Sequence, residues 1–202
     1  GNYGKKLGPE QQKLTSDLLA NNERLVEFIE SFMDTSRIET GKIVLEKEKV
    51  DIERMLENIV KEVGDRAENY YGVEIEIIPS TDTIPVVMGD RESLKKVFEG
   101  IVENALIYNK QGGKVYIKTE GHDGAVQVNI TDTGIGIEEK ALRRIGEKFF
   151  RSEDAKRHAA EGTGLGVFIA KHIVRLHGGN LEIHSQEGEG TTVIVTLPAS
   201  QK

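Results

Sequence analysis

The amino-acid sequence predicts an α+β protein, in which a long helix precedes a two-layer sandwich of a mostly antiparallel sheet with helices on one face. The first observation is the stretch from Gln11 to Ile38, which contains neither Gly nor Pro and repeats apolar residues at spacings of three and four. The second is a series of short alternating segments joined by glycine-containing turns, a pattern typical of β-hairpins. The third is the mixed order of strands and helices, which favours antiparallel pairing over a regular βαβ succession.

Composition limits the classes of function. With 202 residues, of which 37% are hydrophobic, the chain can bury the core of one domain and carry an appendage. It has no Cys, which excludes disulfides and zinc thiolate sites and fits a reducing compartment, so we expect a cytoplasmic location. No apolar run approaches the roughly 18 residues of a membrane helix, and the segment from Gly1 to Lys5 lacks the apolar core of a signal peptide, so we expect no membrane contact. A net charge of −7 disfavours nucleic-acid binding, because phosphate contacts need clustered Lys and Arg.

The long helix should begin at Gly8 and Pro9, because Pro suits the first helical position. Its apolar face is a widened heptad seam, formed by Leu14, Leu18, Asn21, Leu25, Phe28, Phe32 and Thr35 with Leu19, Val26, Ile29 and Met33 beside them. This face could pack on the rest of the chain, or it could form a bundle with a second copy. The length of the helix favours the bundle, and hence a homodimer, with a domain boundary near Gly41.

The remaining elements follow from apolar period and capping residues. Alternation predicts strands at 42–47, 73–77, 86–88, 114–119, 125–131, 181–184 and 191–197. Spacings of three and four predict core helices after Asp51, after Asp90 and from Leu165 to Leu176. The loops 121–124 and 187–190 should close hairpins, and a polar stretch at about 138–161, with seven Lys and Arg, should be a mobile lid.

Three motifs together define a candidate nucleotide site. They are Glu103-Asn104-Ala105, Asp132-Thr133-Gly134-Ile135-Gly136-Ile137 and Gly162-Thr163-Gly164-Leu165-Gly166. Asp132 ends an alternating strand, so its carboxylate should point into a pocket, while the glycines after it let the backbone approach a flat ligand. The second glycine cluster opens a helix whose free N–H groups can hold phosphate oxygens, and Asn104 offers a neutral oxygen to a hard cation. Alone, Asp132 could be a turn residue and Asn104 a buried amide, but the three motifs in this order favour the site.

Two common phosphate-binding motifs are excluded. A Rossmann fingerprint must open a helix inside a parallel βαβ unit, whereas Gly134-Ile135-Gly136 follows a hairpin strand. No Walker A sequence occurs. Phosphates must therefore be held by the helix N-terminus after Gly162 and by side chains of the preceding polar stretch.

The three motifs closely resemble the N, G1 and G2 boxes of sensor histidine kinases, which belong to the ATPase superfamily that includes DNA gyrase. The resemblance covers nearly the whole chain and implies that residues 1–41 contain the second dimerisation helix and residues 42–202 the catalytic ATP-binding domain. It also implies ATP and Mg²⁺ as ligands, a homodimer formed through the N-terminal helix, and a response-regulator receiver domain as partner. The implied activity is transfer of the γ-phosphoryl group to a His, for relay to a response-regulator Asp.

The resemblance also implies roles for single residues. Asp132 accepts a hydrogen bond from the exocyclic amine of adenine, and Asn104 ligates Mg²⁺. Tyr108 either borders the base or is an aromatic residue at the edge of the core. Phe149-Phe150-Arg151 resembles the F box at the base of the lid, so Arg151 contacts the γ-phosphate and acts with Asn104 in catalysis. The implied nucleotide-binding set is Asn104, Tyr108, Asp132, Gly134, Gly136, Gly162, Thr163, Gly164, Leu165 and Gly166.

The sequence departs from the family pattern at three points. Gly100 and Ile107 stand where the family usually has a second Asn and a Lys, which removes one metal contact and one phosphate contact. Gyrase-like relatives carry a hydrolytic Glu at the position of Gly100, so its absence argues against a dedicated ATPase. No His-Glu-x-Arg-x-Pro-like acceptor motif occurs, so we expect the acceptor helix to precede these residues. The alternatives are an ATP-binding sensor or scaffold without transfer, or a Ser/Thr kinase of the same superfamily, against which the long helix argues.

Overall fold

The computed structural model describes residues 8–80, 83–122, 124–159 and 162–200. Within them the chain is an α+β protein with a mostly antiparallel sheet, so the predicted fold class is confirmed. Three parts of the sequence predictions lie outside the described residues: the segment before Gly8, Asp123 in the first hairpin loop, and the last two residues of the stretch 138–161.

The helices are α1 Pro9–Glu39, α2 Ile52–Arg66, α3 Arg91–Ile107, α4 Glu139–Leu142, α5 Glu153–His158 and α6 Gly166–Leu176. The strands are β1 Lys47–Val50, β2 Glu74–Ile78, β3 Val87–Asp90, β4 Lys114–His122, β5 Ala125–Asp132, β6 Asn180–Gln186 and β7 Gly190–Pro198. A π-helical turn at Ala67–Tyr71, which no sequence pattern indicated, extends α2.

The main sheet has the strand order β2-β4-β5-β7-β6, in which β2 and β4 are parallel and the other neighbours are antiparallel. Its register places Asp132 at the end of β5 opposite Thr191 at the start of β7. A second antiparallel sheet consists of β1 and β3 alone. The predicted strand at 42–47 was wrong, since β1 begins at Lys47, where pairing with β3 sets it opposite Asp90. Alternation in a single segment cannot show which partner fixes its register.

The core lies between one face of the main sheet and the helices α2, α3 and α6. Alternate residues of β5, Val126, Val128 and Ile130, are buried against this layer. Both predicted helix caps are confirmed: a carboxylate oxygen of Asp51 accepts from the N–H of Arg54 at 3.0 Å, and one of Asp90 accepts from that of Ser93 at 2.9 Å. Each cap fixes where its helix begins, and the cap of α3 thereby orients the helix that carries Asn104.

Helix α1 contacts the rest of the protein near its C-terminal end, where Thr35 is buried and the helix packs on α6. Two ion pairs reinforce this contact: Asp34 pairs with Lys96 in α3, and Glu39 pairs with Lys148. Ile38 packs on the core, whereas the large apolar side chains before it are exposed, namely Leu14, Leu18, Leu19, Leu25, Val26, Phe28, Ile29, Phe32 and Met33. An apolar face of this size is what a helical bundle buries, and the homodimer remains a prediction.

Candidate functional site

A cavity of about 550 Å³ lies between α1, α3, α6 and the segment 138–159, which we call the lid. This volume is in the usual range for small-molecule sites. The predicted site residues that line it are Asn104, Tyr108, Asp132, Gly136, Arg151, Gly162, Thr163, Gly164 and Gly166. Two others do not form its wall: Gly134 lies against the backbone of Tyr108, and Leu165 is buried in the hydrophobic core. The fold therefore brings the three sequence motifs to one cavity.

Asp132 carries a buried carboxylate, of which one oxygen is already held. Its Oδ1 accepts hydrogen bonds from the N–H of Gly134 at 2.8 Å and from the N–H of Thr191 at 3.2 Å. Its Oδ2 makes no hydrogen bond to any of the described residues. Burial raises the pKa of this carboxyl to about 6, although the two N–H groups and the charge of Lys110 act to lower it. Above pH 6 the site thus presents a negatively charged acceptor in a fixed position.

The glycines around Asp132 permit close backbone packing. A Cβ on Gly134 would lie 2.2 Å from the carbonyl oxygen of Tyr108, and one on Gly136 would lie 1.9 Å from that of Gln186. A Cβ on Gly190 would lie 2.1 Å from the carbonyl oxygen of Asp132. The sequence interpretation was that the glycines after Asp132 admit a ligand. The structure shows that neighbouring protein backbone already occupies the space beside them, so their first effect is to fix the turn that holds the carboxylate.

Sequence reasoning missed the residues of the β6–β7 hairpin that support this turn. Thr191 donates its N–H to Asp132, and the N–H of Gly188 donates to the carbonyl oxygen of Ile135 at 2.8 Å. Lys110 donates to the carbonyl oxygen of Gly188 at 2.5 Å. The glycine-rich loop was visible as a turn, but its pairing beside β5 depends on strand order, which the sequence does not give.

Asn104 lines the cavity from α3, and its side-chain amide makes no hydrogen bond to the described residues. Its oxygen is therefore available to a ligand or a cation. Among the described residues there is no group of three or more acidic or His side chains that could hold a metal. An ion beside Asn104 would take most of its oxygen ligands from water and phosphate, which is how Mg²⁺ is commonly bound. A single neutral oxygen from Asn104 therefore fits a Mg²⁺ ion that is bound mainly by water and phosphate.

The second glycine cluster leads into α6, whose N-terminus has no side-chain cap. Its first N–H groups are therefore available to an anion. The turn before it is compact, since the N–H of Leu165 donates to Oγ1 of Thr163 at 3.1 Å. A Cβ on Gly164 would lie 2.7 Å from the backbone of Phe149, so the turn packs directly on the base of the lid.

The lid, which was expected to be a mobile polar segment, contains the short helices α4 and α5. Arg151 is bonded within it, donating to the carbonyl oxygens of Ala159 at 2.6 Å and Ala155 at 3.1 Å, and to the hydroxyl of Tyr108 at 3.4 Å. Each of the other lid cations lies beside a carboxylate: Lys140 by Glu138, Arg143 by Glu139, Arg144 by Glu147, Lys148 by Glu39, Lys156 by Glu153 and Arg157 by Asp154. A polyanion that binds these cations would have to displace the carboxylates with its own oxygens.

A two-layer sandwich with a cavity built from these three motifs defines a nucleotide-binding domain. Residues 89–201 match the family described as histidine kinase-, DNA gyrase B-, and HSP90-like ATPase, and the chain belongs to this family. The match spans more than half of the chain and includes Asn104, Asp132 and the second glycine cluster.

Similarity to curated proteins indicates which members of this family the chain resembles. The chain is 33% identical over 197 residues to the non-motile and phage-resistance protein of Caulobacter vibrioides, covering 95% of this chain and 23% of that protein. It is 29% identical over 187 residues to the sensor-like histidine kinase SenX3 of Mycolicibacterium smegmatis, covering 93% of this chain and 48% of that protein. The chain thus spans less than half of the length of either relative. Within the family it is an ATP-binding domain of the sensor histidine kinase type.

Solved structures confirm the fold. Full-length ShkA in complex with AMPPNP aligns with a TM-score of 0.82 at 24% identity, over 98% of this chain and 41% of that one. Histidine kinase ThkA in complex with the response regulator protein TrrA aligns with a TM-score of 0.70 at 22% identity, over 96% of this chain and 53% of that one. Among the helices of the described residues, none has the length and hydrophobicity needed to cross a bilayer.

Proposed function

We propose that this chain is the catalytic domain of a sensor histidine kinase, which binds ATP with Mg²⁺ and transfers the γ-phosphoryl group to a histidine on a partner helix. The observation that carries the proposal is the Asp132 carboxylate, which is buried at the wall of a cavity that also contains Asn104 and the uncapped start of α6. Residues 1–41 and 42–202 would be the dimerisation segment and the catalytic domain, since α1 ends at Glu39 just before Gly41.

Adenine recognition would rest on the second oxygen of Asp132. Since Oδ1 is held by two N–H groups, Oδ2 can accept from the exocyclic amine of the base. Guanine carries a carbonyl at that position, which would place two acceptors together and lose a charge-assisted bond worth about 1.5–3 kcal/mol. ATP should therefore bind more tightly than GTP.

The phosphates would lie between α3 and the start of α6. Asn104 would hold Mg²⁺, which offsets the negative charge on the phosphate oxygens when it is bound. The N–H groups of α6 after Gly164 would orient the chain of phosphates, and the lid would exclude water from the transfer. Arg151 would leave its carbonyl partners in the lid and stabilise charge on the transferred group.

The acceptor histidine would come from another helix. None of the histidines whose side chains the structure describes lines the cavity. His172 is hydrogen-bonded to the carbonyl oxygen of Phe168, His177 to that of Ile173, and His184 lies beside Glu182. We propose that the exposed apolar face of α1 forms a bundle with a second copy, which brings an acceptor helix to the site. Relay to a response regulator is proposed from the resemblance and from the ThkA complex with TrrA.

A nucleotide sensor without transfer is the second candidate. The observation that favours it is the chemistry of α3, where Gly100 and Ile107 face the same cavity as Asn104 yet offer neither an oxygen ligand nor a cation. Such a domain would bind ATP and signal through α1 alone.

The experiment that separates the two is transfer from radiolabelled ATP. The 202-residue chain alone should not label itself. Mixed with a second chain that joins an acceptor helix carrying a His to this sequence with the Asp132→Asn change, it should label that partner on His. A phosphohistidine is acid-labile and base-stable, so acid and base treatment identifies the product.

Three outcomes would contradict the proposal. Label on the short chain, or acid-stable label on the partner, would indicate a Ser/Thr kinase. No label, with ATP binding shown by calorimetry and a mixed dimer shown by size measurement, would favour the sensor.

A further inference from the structure

One ridge of α3 carries Lys96, Gly100 and Asn104 at spacings of four residues, and all three line the cavity. Residues four apart on a helix are neighbours on the same face. We propose that Lys96 is a phosphate-binding residue, which exchanges its ion pair with Asp34 of α1 for the terminal phosphate of the bound nucleotide. The inference rests on the proposed function, because it deepens the use of the same site.

Gly100 leaves the space between Lys96 and Asn104 open. A Cβ built on it would meet no atom within 4 Å, so packing in this structure does not require a glycine there. Glycine inside a helix is destabilising relative to Ala, so its presence needs another reason. Side chains on a helix lean toward its N-terminus, which places the Asn104 amide over the level of Gly100. Lys96 lies one turn before Gly100, about 6 Å along the axis, and its side chain leans away from that level in the same direction. Once it leaves Asp34, its flexible four-carbon stem lets the ammonium turn back toward a group beside Gly100.

The charge of the cavity wall favours this use of Lys96. The described acidic residues on the wall are Glu27, Glu30, Glu99, Glu103 and Asp132. Only two described lining residues, Lys96 and Arg151, carry positive charge. Burial raises the pKa of Glu103; the charge of Arg66 acts to lower this pKa, and the charges of Glu27 and Glu99 raise it, so carboxylates already lie close together on this wall. A triphosphate placed against it needs cations.

Of the two cations, Lys96 is the easier for a phosphate to recruit. Arg151 donates to backbone carbonyl oxygens of the lid, including those of Ala155 and Ala159, so moving it rearranges the lid. Lys96 pairs with Asp34, and their side chains are 46% and 21% exposed. Ion pairs this accessible to solvent stabilise little, so a doubly charged phosphate oxygen cluster can displace the carboxylate.

A consequence is that α1 and the nucleotide compete for one ammonium group. When α1 is docked as in this structure, Asp34 holds Lys96; when the nucleotide holds Lys96, α1 loses one of the two ion pairs that join its described residues to the domain. The coupling is reciprocal, so weakening the Asp34 contact should strengthen nucleotide binding.

The test is titration calorimetry of ATP and ADP with Mg²⁺ on the 202-residue chain and four variants. Lys96→Ala should weaken ATP by about tenfold, the loss of one charge-assisted contact, and ADP by less than about threefold. Asp34→Asn should tighten ATP by about threefold, because the competing partner is gone. Lys96→Arg should retain most of the affinity. Lys61→Ala is the control: Lys61 is exposed on α2 and is not on the cavity wall, so ATP affinity should not change.

The opposite signs expected for Lys96→Ala and Asp34→Asn make the test decisive. If both variants shift ATP affinity in the same direction, the pair is only a clamp between α1 and α3, and the inference is overturned. Equal losses in Lys61→Ala and Lys96→Ala would overturn it as a general charge effect. ATP binding that requires Asp132 but not Lys96 would overturn this inference and leave the proposed function standing. No ATP binding by the unaltered chain would overturn both.

Discussion

Replacing Asp132 by Asn should stabilise the fold and at the same time weaken ATP binding. The carboxyl is only 8% exposed, and burial raises its pKa from 3.8 to about 6. That rise means that keeping the group ionised at pH 7.5 costs about 3 kcal/mol of folding free energy. An Asn oxygen can accept the same N–H groups of Gly134 and Thr191 without a charge. We therefore expect Asp132→Asn to raise the free energy of unfolding by about 2 kcal/mol at pH 7.5, once weaker hydrogen bonds are allowed for.

The stabilisation should depend on pH in a defined direction. Because the folded-state pKa of Asp132 lies above its unfolded value, the folded protein binds more protons between pH 3.8 and about 6. The cost of ionisation is fully present above pH 6 and disappears as the pH falls below the unfolded pKa. The difference in stability between Asp132→Asn and the unaltered chain should thus shrink from pH 7.5 to pH 5. Urea unfolding at several pH values measures it directly.

The same substitution should reduce ATP affinity by about ten- to hundredfold, because an amide NH₂ would face the exocyclic amine of adenine in place of a carboxylate oxygen. ATP affinity of the unaltered chain should also fall as the pH drops through 6, since a protonated carboxyl has lost its charge. The control is Asp65→Asn on the exposed surface of α2, which should change neither quantity. A destabilised Asp132→Asn variant would refute the argument from burial. Unchanged ATP affinity in that variant would refute the assignment of the base site.

Two further predictions concern the lid and the buried histidine. Trypsin should cut first between Lys140 and Arg157. A non-hydrolysable ATP analogue should slow these cuts, because its phosphates would replace the carboxylate partners of the lid cations. Early cuts elsewhere, with no protection by the analogue, would contradict the lid assignment. His177→Leu should lower the free energy of unfolding by about 1–3 kcal/mol at pH 7.5, because it removes the Nε2 acceptor of the Asp90 N–H and the Nδ1 donor to Ile173. Burial lowers the pKa of His177, so its contribution to the free energy of unfolding is present above about pH 6.5 and is lost as the pH falls. Urea unfolding should therefore show a shallower pH dependence of stability for His177→Leu than for the unaltered chain. Equal pH dependence in the two proteins would refute this.

Local signals in the sequence predicted the elements and the centre of the site. The caps Asp51 and Asp90 were predicted from the residue type that precedes an apolar period, and both cap their helices. Asp132 was placed at a strand end by alternation, and the structure confirms that position. These features depend on contacts within a few residues of the chain, which is why a single segment reveals them.

Features that depend on distant pairing could not be predicted in this way. The register of β1 is set by β3, about 40 residues away, and the N–H that holds Asp132 comes from Thr191, 59 residues away. No local pattern distinguishes Thr191 from the other strand threonines. Its role follows only from the position of β7 beside β5, which the sequence leaves open among several sheet orders.

The position of α1 depends on contacts with residues far from it in sequence, and it places part of this helix in the wall of the cavity. The sequence assigns α1 to dimerisation through its apolar seam, yet Glu27, Glu30 and Ser31 of the same helix form part of the cavity wall. The seam residues Phe28 and Phe32 alternate with these wall residues along one helix. A rotation of α1 that changes how the seam packs would therefore also move two carboxylates relative to the phosphates. Because like charges that share a partly buried cavity repel each other, such a rotation would alter the affinity for the proposed nucleotide. If the proposed bundle forms, α1 would transmit a change in its packing to the proposed nucleotide without any change in Asp132, Asn104 or the glycine clusters.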